Sequence, residues 1–162
     1  MTNCFIGIDI IEIQRFRAFP PSKHSRFYAH IFSEYELQYC SDFSDPYPHF
    51  AGIFAAKEAI FKAVNKLLPI KLTQISIQHD KNGKPEVWPE DRTISPSIGN
   101  KWLNDNYDLK VQVTIAHSSE LAIAWAIVFS RSSDYDLLKE LSEIKVKLER
   151  EVNDEFQNRC IS

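Results

Sequence analysis

The chain has 162 residues, of which 44% are hydrophobic and 25% charged, as expected for one globular domain with room for a core. A net charge of −3 and the lack of a basic, aromatic-interleaved motif argue against nucleic-acid binding. Asp9 and Glu12 interrupt the first apolar run, so we expect neither a signal peptide nor a membrane span. Three cysteines without zinc or disulfide spacing favour a reducing cytoplasm.

Charge is distributed unevenly along the sequence. Residues 132–162 contain eight acidic and five basic side chains and therefore carry the whole net charge of −3. Residues 13–31 contain Arg15 among four Lys and Arg side chains, and no acid. This basic segment is either a solvated surface or a docking patch for an acidic partner.

The first predicted element is an isoleucine-rich strand over residues 5–13, which we expect to be buried. Gly7 would permit close approach of another backbone. Asp9 is an acid inside this apolar run. It either caps the turn after the strand, which the residues alone favour, or carries a metal ligand on a rigid strand.

Short helices or turns are expected over residues 14–18 and 25–31. Ser33 and Glu36 have the spacing of a capping box, which predicts a helix over residues 34–40. A loop with two prolines is expected over residues 41–48.

Residues 50–68 have the clearest helical pattern in the chain. Their small apolar side chains share one face, which would let a sheet pack closely. Glu58 and Lys62 lie four residues apart on another face. They are either an ordinary surface ion pair or a half-buried carboxylate that requires a cation.

The second half of the chain is predicted to be mainly β-structure. Residues 74–78 and 86–88 predict a hairpin around an Asn-Gly turn, and residues 89–106 an irregular stretch with a short helix near 101–103. Strands are expected over residues 110–116 and 120–129, the second of them buried. His117, after the first of these, is either satisfied by local backbone groups or contacts a ligand.

A final amphipathic helix is expected over residues 135–156, packed on the domain or on a partner helix. We therefore expect an α+β domain over residues 1–131, with a small antiparallel or mixed sheet packed on the long central helix. Residues 132–162 would form a C-terminal amphipathic helical extension.

Four segments occur in order: IGIDIIEIQRF (6–16), FSEYELQYC (32–40), FAAKEAIFKAV (54–64) followed by GKPEV (83–87), and VTIAHSSELAIAWAIV (113–128). Together they resemble the holo-acyl-carrier-protein synthase family of 4'-phosphopantetheinyl transferases, over roughly residues 5–130. The F-A-A-K-E-A-x-x-K-A segment combined with G-x-D near the N-terminus is specific. The resemblance implies a 4'-phosphopantetheinyl-transferase-like fold, and for chains of this length often a homotrimer with sites at subunit interfaces.

The resemblance also implies a reaction. Such enzymes move the phosphopantetheine arm of coenzyme A to a serine of an apo acyl carrier protein, and adenosine 3',5'-bisphosphate leaves. Asp9 and Glu58 match the family's Mg²⁺ ligands, and Lys62 matches a lysine near the transferred phosphate. Arg15 matches an arginine that engages the carrier protein, and His117 a histidine at the coenzyme A site.

The chemistry of these side chains agrees with that assignment. Two hard carboxylates suit Mg²⁺, Lys62 can stabilise the leaving or bridging oxygen, and Glu58 is a candidate base for the serine proton. Three positions depart from the family pattern. Ile53 stands where an arginine is frequent, Ala116 replaces a serine, and Asn65 replaces a frequent glycine.

Two other hypotheses stay open. Ile53 and Ala116 motivate a non-catalytic relative that binds coenzyme A or a carrier protein without transfer. The other is a different Mg²⁺-dependent nucleotide enzyme.

Overall fold

The computed structural model describes residues 2–65, 70–89, 95–98, 101–103 and 108–131. Predictions for residues 66–69 and for the extension over 132–162, with its helix at 135–156, lie outside this part. No helix within the described ranges is long and apolar enough to cross a membrane.

The predicted α+β class is confirmed. The helices are α1 (Ile13–Ala18), α2 (Ser25–Ala29), α3 (Glu34–Ser41) and α4 (Tyr47–Val64), with a short 3₁₀ turn at Leu72–Gln74. The strands are β1 (Thr2–Glu12), β2 (Ile75–His79), β3 (Pro85–Pro89), β4 (Ser95–Ile98), β5 (Lys101–Leu103), β6 (Asp108–His117) and β7 (Leu121–Arg131). An antiparallel sheet has the order β1-β7-β6-β5-β4, and β2 and β3 form a separate hairpin.

Two predicted elements need correction. The central helix α4 begins at Tyr47, three residues before the predicted start, and ends at Val64. It starts early because Pro46 and Pro48 are compatible with the first turn of a helix, where backbone N–H groups lack helical partners. The short helix predicted near residues 101–103 is wrong, because these residues form β5 and pair with β6.

The large sheet has one face covered by α4 and one open face. Gly7, Ile11, Ala122, Ala124 and Ala126 are buried on the covered face. On the open face, side chains of β1 and β7 pair across the strands and are largely exposed. These are Ile6, Ile8 and Ile10 of β1, each more than half exposed, and Ile123 and Trp125 of β7.

The prediction that these two strands are buried is therefore wrong for one face of each. A run of apolar residues cannot reveal whether a helix of the same chain covers both faces of a strand. The sheet consequently presents a continuous apolar surface, which we name the open face: Ile6, Ile8, Ile10, Leu121, Ile123, Trp125 and Phe129.

Gly7 allows β1 to lie directly against α4. A Cβ atom at this position would lie 1.9 Å from the carbonyl oxygen of Ala59 and 3.0 Å from the amide nitrogen of Ala63. Any side chain would therefore collide with helix backbone. The predicted close approach at Gly7 is confirmed.

A buried ion pair joins α3 and α4. Lys57 Nζ lies 2.6 Å from Glu36 Oε2 and donates a hydrogen bond to the carbonyl of Ile31, and both charged side chains are fully buried. Glu36 also accepts hydrogen bonds from the backbone amides of Ser33 and Ile77, which confirms the predicted capping box and adds a link to β2. Burial raises the pKa of Glu36, although Lys57 and the two amides oppose that shift.

We expect Gly7→Ala to destabilise the fold by about 1–3 kcal/mol or more, because helix backbone cannot move aside as a flexible side chain can. Chemical denaturation monitored by circular dichroism measures this loss.

Gly52→Ala is the matched control. A Cβ at Gly52 would lie 2.9 Å from the Cγ2 methyl of Ile115 and would meet this side chain but no helix backbone, so we expect a smaller loss of stability than for Gly7→Ala. Equal stabilities for Gly7→Ala and the unmodified chain would show that β1 and α4 are not held this closely.

Candidate active site

Three of the predicted site residues lie together between β1 and α4. Asp9 lies within β1, three residues before the strand ends, and Lys62 Nζ lies 2.7 Å from its Oδ1 atom. Lys62 also donates a hydrogen bond of 3.2 Å to the carbonyl of Ile8. Asp9 is therefore not a turn cap, and Lys62 reaches across to the strand to form its ion pair.

Glu58 lies one turn before Lys62 on α4 and is partly buried. Burial raises the pKa of Glu58, the nearby carboxylate of Asp9 raises it further, and the ammonium of Lys62 lowers it. Two carboxylates thus lie near one ammonium group, which forms its ion pair with Asp9. The site has an excess of negative charge that a bound cation would relieve.

Asp9 and Glu58 could supply only some of the ligands that a divalent ion requires. Among the described residues, no group of three or more His, Cys, Asp or Glu side chains is placed to hold a metal. Mg²⁺ commonly takes one or two carboxylates and completes its shell with water and substrate phosphate oxygens. The chemistry of this pair fits that mode of binding.

His117 lies apart from the carboxylates, at the end of β6. It lines a cavity of about 190 Å³ together with two histidines that the sequence analysis did not single out, His49 and His79. The cavity walls come from α3, α4, the β2–β3 hairpin and β6. The three histidines are far apart in sequence and follow no metal-ligand spacing, so only the fold brings them to one cavity. We name this space the histidine cavity, lined by Tyr39, Pro48, His49, Gly52, Ile53, His79, Gly83, Pro85, Ile115 and His117.

Arg15 lines a second cavity, of about 400 Å³, formed mainly by aromatic side chains. Phe54, which lines this cavity, lies one turn before Glu58 on α4 and shares a face of the helix with it. Phe19 and Phe27 at its rim are about half exposed. We name this the aromatic cavity, lined by Ile11, Arg15, Phe16, Phe19, His24, Phe27 and Phe54.

Comparison with known proteins places the chain in a family. Residues 5–126 match the model of the 4'-phosphopantetheinyl transferase superfamily. The chain belongs to this superfamily. The resemblance seen in the sequence motifs is thereby confirmed, and it covers the whole of both cavities and the carboxylate pair.

Individual relatives agree with the assignment to this superfamily. The chain is 39% identical to a holo-[acyl-carrier-protein] synthase of Chlamydia trachomatis serovar L2, over 75% of this chain and 96% of the relative. It is 36% identical to a protein of the same name from Clostridium tetani, over 76% and 93%. A crystal structure of a Bacillus anthracis holo-(acyl-carrier-protein) synthase in complex with CoA (3',5'-ADP) is similar, with a TM-score of 0.57 and 28% identity over 78% and 96%.

Replacing Glu58 by glutamine (Glu58→Gln) should raise the melting temperature of this protein at about pH 7 when divalent cations are removed. The pKa of Glu58 is higher in the folded state than its ordinary value of 4.5, so the ionised carboxylate destabilises the folded state. The protonated group carries no such cost below pH 4.5, and the cost appears as pH rises through the folded-state pKa. The advantage of the variant should therefore shrink as the pH is lowered below 4.5. Thermal unfolding in EDTA across this range measures it.

Glu120→Gln, which changes an exposed carboxyl at the β6–β7 turn, is the control and should alter the melting temperature little. A Glu58→Gln protein that is no more stable than the unmodified chain at neutral pH would contradict the described crowding of the two carboxylates.

Proposed function

We propose that this protein transfers the 4'-phosphopantetheine group of coenzyme A to a serine of an apo acyl carrier protein. The serine oxygen forms a bond to the phosphorus that carries pantetheine, and the pyrophosphate bridging bond breaks. Adenosine 3',5'-bisphosphate leaves, and the serine proton passes to a base.

We also propose that the protein is located in the cytoplasm. The free cysteines Cys4 and Cys40 agree with that reducing compartment.

The observation that carries this proposal is the position of Asp9, Glu58 and Lys62 within a chain of this superfamily. Two carboxylates and one ammonium group meet between β1 and α4, and one of the carboxylates has a raised pKa. A protein that only binds a partner has no need of such a charged cluster. The non-catalytic alternative is therefore disfavoured.

Asp9 and Glu58 are the residues that would hold Mg²⁺. When bound, the ion would neutralise the negative charge of the substrate pyrophosphate and orient it for in-line attack. Lys62 Nζ would donate a hydrogen bond to the leaving or bridging oxygen as charge develops there. Glu58 would accept the serine proton at a carboxylate oxygen.

The carrier protein would dock at the aromatic cavity. Arg15 is exposed and has no ion-pair partner among the described side chains, whereas its neighbour Arg17 pairs with Asp45. A free guanidinium beside apolar rings suits a partner with acidic residues around an apolar side chain. Because Phe54 connects this cavity to Glu58, a serine presented here would be close to the carboxylate pair.

Copies of this chain would cover the open face. Large apolar side chains exposed together on one sheet face mark an interaction surface. We propose a homotrimer, in which these sheets meet and neighbouring copies approach the site of each subunit.

The transferase proposal predicts that the full chain, coenzyme A, Mg²⁺ and an apo acyl carrier protein yield holo carrier protein, detected by mass spectrometry as the gain of one phosphopantetheine group. Asp9→Asn and Glu58→Gln should each lower kcat/KM by at least about a hundredfold, within the range of general acid-base and electrostatic contributions. Circular dichroism verifies folding.

The result also separates the alternatives. Coenzyme A binding without transfer to any carrier tested would support the non-catalytic relative. Turnover that adenosine 3',5'-bisphosphate fails to inhibit would support a different nucleotide enzyme.

Arg15→Glu should raise the KM for the carrier protein by about tenfold or more, which corresponds to ~1.4 kcal/mol, and leave the KM for coenzyme A unchanged. Steady-state kinetics with each substrate varied in turn measures both constants. Lys81→Glu reverses an exposed charge in the turn of the β2–β3 hairpin, outside both the aromatic cavity and the open face, and is the control. Equal carrier KM values for the two variants would argue against docking at Arg15.

Light scattering should give the mass of three chains for the unmodified protein. Ile8→Glu should lower this mass, because a charge on the open face cannot be buried without a partner. Lys81→Glu, in the exposed turn of the β2–β3 hairpin, should leave it unchanged. A monomeric unmodified chain would contradict the trimer.

A further inference from the structure

Lys57 is a charged residue that the proposed mechanism does not use. It belongs to the F-A-A-K-E-A segment and directly precedes Glu58, but its side chain is fully buried and pairs with Glu36. Removing two charges from water is costly, and apolar residues of similar volume often replace a buried ion pair without loss of stability. Stability alone therefore does not account for an ammonium group at this position.

The ammonium of Lys57 joins three separate segments of the chain. Nζ lies 2.6 Å from Oε2 of Glu36 on α3. It also donates hydrogen bonds to the carbonyl of Ile31, which follows α2, at 2.6 Å and to the carbonyl of Leu72 in the 3₁₀ turn at 3.3 Å. A lysine ammonium has three N–H donors, so it can serve these acceptors together. An apolar side chain would fill the space but would not hold either carbonyl.

Helix α2 has little support of its own. It contains five residues, no side chain caps its N-terminus, and Tyr28 is its one buried residue. So short a helix is not stable by itself in water. Its position therefore depends on the packing of Tyr28 and on the contacts of the residues that follow the helix.

Lys57 fixes the chain directly after α2. The backbone amides of Ile31 and Phe32 both donate hydrogen bonds to the carbonyl of Tyr28, which closes a turn at the end of the helix. The carbonyl of Ile31 in this turn accepts the hydrogen bond from Lys57. The ring of Phe32 stacks on that of Tyr28, with centroids 5.4 Å apart. Through this turn, α2 is tied to α4.

Helix α2 also forms part of the aromatic cavity. Phe27 lies on α2 and His24 directly precedes it, and both line the cavity, whereas Lys57 does not. The ring of Phe27 meets that of Tyr28 edge-on, with centroids 5.6 Å apart. A displacement of α2 would therefore move Phe27 and change the shape of the cavity.

We propose that Lys57 is a positioning residue for the carrier protein. Its buried ammonium holds α2, and through α2 the Phe27 wall of the aromatic cavity, in the arrangement that the carrier recognises. The proposal rests on the proposed function, which docks the carrier at that cavity. Without the ammonium, α2 is in place in only a fraction of the molecules, and the apparent affinity for the carrier falls in proportion to that fraction.

The test variant replaces the ion pair by two neutral side chains, Glu36→Gln together with Lys57→Met. Methionine fills the space of the lysine stem, and Glu36→Gln keeps a side-chain oxygen for the amide of Ile77. Changing both residues avoids the unpaired buried charge that a single substitution would leave.

Two further variants serve as references. Lys57→Arg keeps a cation with N–H donors at the position. Leu109→Ala truncates a buried side chain of β6 outside the aromatic cavity, so it controls for a loss of stability that leaves α2 untouched.

Steady-state transfer kinetics should show a KM for the carrier raised about tenfold or more in the neutral pair, as expected if α2 is in place in about a tenth of the molecules. The kcat and the KM for coenzyme A should stay within about threefold, because Asp9, Glu58 and Lys62 lie on β1 and α4. Lys57→Arg and Leu109→Ala should each keep the carrier KM within about threefold of the unmodified chain.

Two kinetic results would overturn the proposal. One is a carrier KM that is unchanged in the neutral pair or that rises together with the KM for coenzyme A. The other is an equal increase of the carrier KM in Leu109→Ala, which would trace the effect to lost stability.

Hydrogen–deuterium exchange followed by mass spectrometry provides a measurement that needs no catalysis. In the neutral pair, the amides of residues 25–33 should exchange about tenfold or more faster, while those of β1 and β7 should exchange as in the unmodified chain. Exchange in Lys57→Arg should match the unmodified chain. Faster exchange throughout the neutral pair, or its failure to fold, would make Lys57 a determinant of the whole fold and would contradict a role confined to α2.

The proposal and the transferase assignment fail separately. In a protein that transfers nothing, calorimetric titration of the carrier replaces the KM, and weaker binding with loosened α2 would support the role of Lys57 while contradicting the transferase. Transfer with an unchanged carrier KM despite loosened α2 would overturn the role of Lys57 and leave the transferase assignment intact.

Discussion

The close contact between Gly7 of β1 and the backbone of α4 is the constraint on which the site depends. It brings the strand so near the helix that a Cβ atom would fall 1.9 Å from the carbonyl oxygen of Ala59. Two residues further along the strand, Asp9 consequently meets Lys62. The charged cluster is thus a product of backbone packing, since no side chain on β1 could reach α4 in this way across a wider gap.

One helix supplies both structural and functional charges. Lys57 is completely buried and pairs with Glu36, which ties α4 to α3 and, through the amide of Ile77, to β2. These same elements form walls of the histidine cavity. Breaking such a buried pair commonly costs about 3–5 kcal/mol, so this contact holds the cavity walls in register. Glu58, the next residue, points to another side of the helix and faces Asp9 instead.

Some of this could be predicted from local pattern. The capping box at Ser33, the Asn-Gly hairpin and the helical periodicity around Ala59 are determined by residues close in sequence, and all three occur in the structure. The helix at 101–103 and the burial of both faces of β1 and β7 were wrong, because strand pairing and the covering of a sheet face depend on distant residues.

The sequence by itself indicated the family, and through that resemblance it singled out Asp9, Glu58 and Lys62, because the motifs that carry the resemblance are short contiguous segments of the chain. Only the tertiary structure decided that Lys62 pairs with Asp9 across the strand–helix contact, and that His49 and His79 join His117 in one cavity. The physical reason is distance along the chain. Local pattern specifies which way a side chain points from its own element, but only packing determines which other element it meets.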